Sequence, residues 1–166
     1  DLDEEQLLKF WAGIYREFTK KGKKCKIFSN GLVYDQEFGE TLCDYLEINK
    51  EEYLVPRPLV VEELVETISS FEGIVGTRLH CAIIAYAYSI PTVELVWNVK
   101  QTMFGKIIGE TERFIMPEMF DPNYVASMLM EVIEKDKKNL IYNEEEFKNT
   151  TYINIKKFFD DYVQVI

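Results

Sequence analysis

The stretch GIVGTRLHCAIIAYAYSIPTVELVWNVK, residues 73–100, contains residue types that could bind an anion. It is almost entirely apolar, yet Arg78 and His80, the only histidine in the protein, directly follow Gly76-Thr77. If a strand ends here and a helix begins, the first backbone N–H groups of that helix are free to bind a negative group. Arg78 adds a planar set of donors that matches a carboxylate or a phosphate. The pattern predicts a site for a small anion.

The same residues also admit purely structural roles. A histidine on an apolar helix is more often a core residue than a functional one, and Arg78 could be an ion-pair partner at the end of a strand. Arg57, between Pro56 and Pro58, could simply hold a rigid loop. Lys100 could be a solvated side chain, although a cation at the start of a helix opposes the helix dipole. The sequence leaves these alternatives open.

Nucleophilic and metal chemistry are weaker interpretations. Cys81 lies beside His80, but neighbouring side chains on a helix point in different directions, which disfavours a thiol nucleophile activated by this histidine. One histidine and no pair of carboxylates at ligand spacing predict that the protein has no metal site.

Composition narrows the partners and the compartment. The formal net charge is −10, from 29 acidic and 19 basic residues, so the surface as a whole repels nucleic acid and anionic lipid. Three cysteines without a CxxC pair indicate reduced thiols and a cytoplasmic protein. The apolar stretch 81–99 contains Pro91 and Glu94, which a transmembrane helix tolerates poorly, so no transmembrane segment is expected.

Hydrophobic periodicity predicts alternating helices and strands. The predicted strands are CKIFSNG, EYLVPRP, GIVG, PTVELVW and RFIM. The predicted helices cover residues 3–21, 35–47, 61–68, 78–89, 100–109, 122–135 and 152–164. The helix after GIVG is expected to be buried, with Ile83 and Ala85 against the sheet. This alternation predicts one α/β domain over residues 1–166, with a Rossmann-like open parallel sheet and helices on both faces.

In such a sheet the ligand binds beyond the carboxyl ends of the strands, where loops lead into helices. Four loops lie at these positions in the sequence, at residues 29–35, 56–58, 76–80 and 97–100. Their polar and charged residues are the candidate site. The predicted substrate-binding residues are Asn30, Gly31, Arg57, Gly76, Thr77, Arg78 and Lys100, and the predicted catalytic residue is His80.

These motifs resemble a known family. The stretch GTRLHCAIIAYAYSIPTVELVWNVK is similar to the signature of polysaccharide pyruvyl transferases, in which a small-Arg-Leu-His helix start precedes an Ile-Pro strand. Lys100 and Phe104, and the earlier segments IFSNG…D and VPRP, fit the same pattern. The resemblance covers about residues 24–115, and the Arg-x-His helix start is its most specific part.

The resemblance implies a fold and an activity. Family members have a two-domain fold similar to GT-B glycosyltransferases, and they transfer pyruvate from phosphoenolpyruvate to a sugar as a ketal, in bacterial surface polysaccharides and some yeast glycans. Arg78 and His80 correspond to the donor-binding pair, with His80 a candidate general acid. Phosphoenolpyruvate is then the donor substrate and a saccharide the acceptor, with no separate cofactor.

The start of the chain carries its own expectation. Asp1 lies within an acidic helical pattern and there is no initiator methionine, so the chain is expected to be a fragment of a longer protein. By the resemblance it would be the C-terminal, donor-side half. The missing N-terminal domain would supply the acceptor side, and the fragment alone is expected to be inactive.

Two other function classes remain open. The first is the donor domain of a GT-B sugar-nucleotide glycosyltransferase, which would use a carboxylate such as Glu94 or Glu72 to bind the ribose. The second is a non-catalytic α/β interaction module, which would be favoured if Arg78 formed a salt bridge inside the core.

Overall fold

A computed structural model of the chain describes residues 3–139, with side chains as far as residue 136. The chain divides into two units, Asp1–Ile133 and Glu134–Ile166. The sheet and every candidate site residue lie in the first unit. The helix predicted at residues 152–164 lies outside the described residues. That residues 1–166 form one domain therefore stays a prediction.

The first helix, α1 (Glu4–Lys20), begins with a capping box. The Asp3 carboxylate accepts a hydrogen bond from the Gln6 N–H at 2.8 Å, and the Gln6 side-chain oxygen accepts one from the Asp3 N–H at 3.0 Å. Phe10, Ile14 and Phe18 recur every four residues and are buried on one face. The predicted amphipathic helix at residues 3–21 is confirmed.

Three strands form a parallel sheet in the order β1 (Ile74–Gly76), β2 (Thr92–Leu95) and β3 (Phe114–Ile115). Helices α5 (Leu79–Ala87) and α6 (Val99–Ile108) follow β1 and β2 and supply the crossovers that parallel pairing requires. β3 lies at the edge of this sheet, as predicted. The Rossmann-like α/β class is confirmed.

The last described helix is α7 (Pro122–Asn139). The Asp121 carboxylate accepts a hydrogen bond from the Tyr124 N–H at 2.8 Å, and proline occupies the first helical position. Val125, Leu129 and Val132 are buried, as their spacing predicted.

Helices cover both faces of the sheet. Because successive residues of a strand point to opposite faces, Val93 and Leu95 pack in one cluster with apolar residues of α1 and α7. Ile74 packs on the other side with Ile68 of α4 (Val61–Ser69) and with buried residues of α5. The predicted arrangement of helices on both faces is confirmed.

Two predicted strands are wrong in extent. In the segments 25–31 and 52–58 only Ile27 and Leu54 form a bridge, and it is isolated. Residues before it form the short helix α3 (Lys50–Tyr53), because the Asn49 side chain accepts a hydrogen bond from the Glu51 N–H at 2.9 Å. After it come two prolines, which have no N–H to donate to a ladder.

The helix α5 is less buried than predicted. Cys81, Ala82 and Ala85 are buried, but Ile83 is 40% exposed. Because apolar residues occur on every side of this helix, the sequence does not show that only one side packs against the sheet. The expectation for Ala85 is confirmed, and that for Ile83 is wrong.

Candidate functional site

Side-chain contacts join the loops that follow the strands. The Arg57 guanidinium donates a hydrogen bond to the Gly31 carbonyl at 2.9 Å. Arg78 donates two hydrogen bonds to Asp35, which lies in the first turn of α2 (Val33–Leu46). The Trp97 indole N–H donates to the Thr77 carbonyl at 2.6 Å. The loop after β1 therefore meets both the first turn of α2 and the loop after β2.

Arg78 is the central cation of this region. Its Nε and Nη2 atoms lie 2.9 Å and 2.5 Å from the two carboxylate oxygens of Asp35, in a bidentate arrangement. The hydrogen bonds that Arg78 donates to Asp35 raise the pKa of Arg78 above its ordinary value, so the group stays cationic. The guanidinium also lies 5.7 Å from the centre of the Trp97 ring. Its side chain remains 37% exposed, and among the described residues Nη1 has no hydrogen-bond partner.

The helix that carries His80 begins later than predicted. α5 starts at Leu79, one residue after the predicted start, with Arg78 in an extended conformation as its N-cap. No side chain caps this helix. The Cys81 N–H donates to the Arg78 carbonyl at 2.8 Å, which leaves the backbone N–H groups of Leu79 and His80 available to an anion. His80 lies in that turn and is exposed, so its interpretation as a core residue is wrong.

Gln101, which the sequence reasoning missed, connects the loops after β1 and β2. Its side chain is fully buried, and its amide nitrogen donates to the Thr77 carbonyl at 2.9 Å. Its side-chain oxygen accepts hydrogen bonds from the backbone N–H groups of Trp97 at 2.9 Å and Asn98 at 3.2 Å. The signal in the sequence was the spacing from Asn98 to Gln101, which forms the capping box of α6.

Glu94, which the sequence offered only as a ribose ligand of a glycosyltransferase, is the second buried polar residue of this region. Its side chain is 1% exposed, and one carboxyl oxygen accepts from the Gln101 amide at 2.7 Å. The other oxygen has no hydrogen-bond partner in the described part of the chain. Burial raises the pKa of Glu94 from its ordinary value of 4.5 to about 7, although the Gln101 hydrogen bond opposes this shift. A Cβ atom at Gly76 would lie 2.5 Å from this carboxyl group, so only glycine fits beside it.

The two loops that contain Asn30, Gly31 and Arg57 have a structural explanation of their own. Gly31 has φ +95°, which favours glycine, and a Cβ there would lie 3.3 Å from the Pro58 carbonyl. Arg57 holds this turn by its bond to the Gly31 carbonyl. The alternative that Arg57 serves to hold a loop therefore has direct support.

Cys81 and Lys100 complete the set. Cys81 is buried, and desolvation raises the pKa of its thiol, which disfavours the reactive thiolate. Lys100 is exposed in the first turn of α6, where its backbone N–H donates to the Asn98 side chain at 2.9 Å. Its ammonium group remains accessible to an anion.

An open cavity of about 720 Å³ borders these loops. Its polar part contains Asn30, Asp35, Gly76, Thr77 and Arg78, beside Trp97, and apolar residues of α1 line much of the rest. Gly31, Arg57, His80 and Lys100 do not line it. The volume lies within the range that small-molecule sites occupy, roughly 300–1,000 Å³.

The family model described as polysaccharide pyruvyl transferase matches residues 1–98, which is more than half of the 166 residues. The chain belongs to the polysaccharide pyruvyl transferase family. The matched part of this pyruvyl transferase relative contains every predicted site residue except Lys100. Neither the curated proteins nor the solved structures contain a match to the chain.

Two features are absent from the described residues of this family member. None of the helices there combines the length and the apolar character needed to cross a membrane. No group of three or more His, Cys, Asp or Glu side chains in that part is arranged to hold a metal ion.

The geometry bears on the two alternative function classes, a glycosyltransferase donor domain and a non-catalytic interaction module. Glu94 is buried beneath Gly76 and is not presented to the cavity, whereas Glu72 lines the cavity but is already paired with Lys23 at 2.9 Å. Arg78 does form a salt bridge, as the interaction-module class required, but it lies at the cavity and not inside the core. Both observations favour an anion-binding role for the loop after β1.

Proposed function

We propose that this chain is the donor-binding domain of a transferase that moves pyruvate from phosphoenolpyruvate to a sugar of a surface polysaccharide, as a ketal. The observation that carries the proposal is the partly exposed Arg78 guanidinium, oriented by Asp35 at the uncapped start of α5, in a chain of the pyruvyl transferase family. Phosphoenolpyruvate carries a carboxylate and a phosphate, and both groups need donors in a protein whose net charge is −10.

Arg78 has one edge occupied and one edge available. Asp35 accepts hydrogen bonds from Nε and Nη2, which fixes the plane of the guanidinium before the ligand binds. Less side-chain entropy is therefore lost when the donor anion binds. Nη1 and the first N–H groups of α5 then face the donor anion. Because Asp35 already neutralises much of the charge of Arg78, the N–H groups and the exposed Lys100 must contribute to attraction.

The reaction has a simple balance. A proton adds to C3 of phosphoenolpyruvate, two sugar hydroxyl oxygens form bonds to C2, and the C2–O bond to phosphate breaks. The two hydroxyl groups lose two protons, so one replaces the proton delivered to C3 and the other leaves with phosphate. His80, exposed in the first turn of α5, is the residue we assign as general acid at C3.

The wider context follows from the same proposal. A further domain in a GT-B-like arrangement would contribute to the acceptor side, and phosphoenolpyruvate would be the donor substrate, with no separate cofactor. The three cysteines are free thiols, which fits a cytoplasmic enzyme of exopolysaccharide synthesis.

A ligand screen tests this function. Thermal unfolding of the full chain is followed with phosphoenolpyruvate, UDP-sugars and CMP-sugars, with pyruvate and inorganic phosphate as controls. Phosphoenolpyruvate is expected to raise the melting temperature more than either of its parts, because one site binds both anionic groups. The protein has one histidine, so its imidazole proton signals in NMR then report whether the ligand binds beside α5.

The outcomes separate the three function classes. Stabilisation by a nucleotide sugar in place of phosphoenolpyruvate would favour a glycosyltransferase donor domain. No stabilisation by any of these ligands, together with an unchanged His80 signal, would contradict the donor-domain proposal.

A further inference from the structure

Trp97 is a large apolar side chain that is held in place and yet 63% exposed. Its indole N–H donates to the Thr77 carbonyl at 2.6 Å, and its backbone N–H donates to Gln101 at 2.9 Å. The Arg78 guanidinium lies 5.7 Å from its ring centre. A ring fixed by these contacts cannot turn inward, so it presents a preorganised apolar surface to solvent.

The polar groups beside the ring retain binding capacity. Both carboxylate oxygens of Asp35 accept from Arg78, but a carboxylate has about four acceptor positions, so positions remain for further donors. The Asp35 side chain is 23% exposed. Asp35, Arg78 and Trp97 all line the same cavity. An apolar plane therefore stands next to a hydrogen-bond acceptor at the place where the donor anion is proposed to bind.

This combination matches the chemistry of a pyranose ring. One face of such a ring presents C–H groups that pack against an aromatic plane, while its edge carries hydroxyl groups that donate to carboxylates. The ring is flanked by the Arg78–Asp35 ion pair and lies at a cavity, and both features favour a small polar ligand. We infer that Trp97 and Asp35 form the subsite for a pyranose ring of the saccharide acceptor.

This inference rests on the proposed function, because an acceptor ring must lie beside the donor held at Arg78. It adds a residue, Trp97, that stacks on the sugar and so determines which hydroxyl groups reach the donor carbon. The Trp97 ring lies next to the proposed donor site because its centre is 5.7 Å from the Arg78 guanidinium.

The sequence offers a clean probe, because Trp11 and Trp97 are its two tryptophans. In the full chain carrying Trp11→Phe, Trp97 is the single source of tryptophan fluorescence and of an indole N–H signal in NMR. Methyl β-galactopyranoside and methyl β-glucopyranoside are titrated with and without phosphoenolpyruvate, and sorbitol, which has no ring face, is the control.

At least one methyl glycoside is expected to shift the Trp97 signals saturably in the millimolar range, with its ring protons moving upfield as they would over an indole. Sorbitol is expected to have no such effect. Trp97→Leu should weaken glycoside binding by about two- to tenfold, which corresponds to roughly 0.5–1.5 kcal/mol for an aromatic contact, whereas Trp97→Phe should retain part of the binding. Circular dichroism verifies that each variant folds.

The two proposals fail separately. If phosphoenolpyruvate shifts the His80 signal but no glycoside shifts Trp97, the subsite is contradicted and the donor proposal stands; Trp97 is then left as a surface for a protein. Equal glycoside binding by Trp97→Leu, followed by the sugar signals, would also contradict the subsite. A glycoside effect without any phosphoenolpyruvate effect supports the subsite and contradicts the donor proposal, and no effect of either ligand contradicts both.

Discussion

Arg78 shows that a structural and a functional role can coexist in one side chain. The sequence left open whether it is an ion-pair partner or an anion ligand. The structure has it paired with Asp35 and also partly exposed at a cavity. Asp35 was not among the predicted site residues, because nothing in the spacing of residues 30–35 shows that a carboxylate there reaches a loop 43 residues later.

His80→Asn separates two roles at the scale of a residue. We expect kcat of ketal formation in the intact enzyme to fall strongly while the Kd for phosphoenolpyruvate changes little, since asparagine can donate a hydrogen bond but cannot transfer a proton. Phosphate release gives kcat, and isothermal titration gives the Kd. A loss confined to donor affinity would mean that His80 only binds phosphate.

Glu94 makes a prediction about stability and pH. Its pKa is raised from 4.5 to about 7 by burial, so between these values the folded state holds a proton that the unfolded state has released. The free energy of unfolding should therefore fall as pH rises through this window. Glu94→Gln removes this contribution. The unfolding free energy of the variant, relative to that of the unmodified protein, should therefore be higher at pH 8 than at pH 5, by up to about 3 kcal/mol.

Urea unfolding at both pH values measures this effect. The matched control is Glu62→Gln, an exposed glutamate in the first turn of α4. If the difference in unfolding free energy between Glu94→Gln and the unmodified protein is the same at pH 5 and pH 8, the buried carboxyl group does not titrate in this range.

At the scale of elements, α5 packs through one face only. Ala85 is fully buried beside Ile68 and Ile74, whereas Ala87 is exposed on the same helix. Ala85→Leu should overpack the contact with α4 and β1 and lower the free energy of unfolding by about 1–3 kcal/mol. Ala87→Leu makes the same change on the exposed side and should alter it by less than about 0.5 kcal/mol.

Chemical denaturation of the two variants provides the comparison. Equal denaturation midpoints for Ala85→Leu and Ala87→Leu would show that α5 does not lie against the sheet as described. The pair also controls for the higher helix propensity of alanine, which applies to both positions.

For the whole molecule, the sequence predicted the helices and strands that depend on contacts between residues close together in the chain. Periodic apolar residues and side-chain caps placed α1 and α7, and apolar runs placed the three parallel strands. The extent of the strands in segments 25–31 and 52–58 was predicted wrongly. The number of residues that join a β-ladder depends on the backbone beside the strand in the folded chain and not on residue type alone. Gln101 was missed for a related reason: its three roles depend on loops that meet only in the folded chain.

The most direct test of the account is the affinity of the folded chain for phosphoenolpyruvate when Arg78 is replaced by lysine. Arg78→Lys keeps the charge but removes the planar donor set, and a charge-assisted hydrogen bond is worth roughly 1.5–3 kcal/mol, so the Kd should rise about ten- to hundredfold. Arg16→Lys, at an exposed position of α1, is the matched control and should leave the Kd unchanged. Isothermal titration is paired with circular dichroism melts, so that affinity is expressed per folded molecule. A lower melting temperature of Arg78→Lys with an unchanged Kd would contradict the account, because Arg78 would then only support the fold through Asp35.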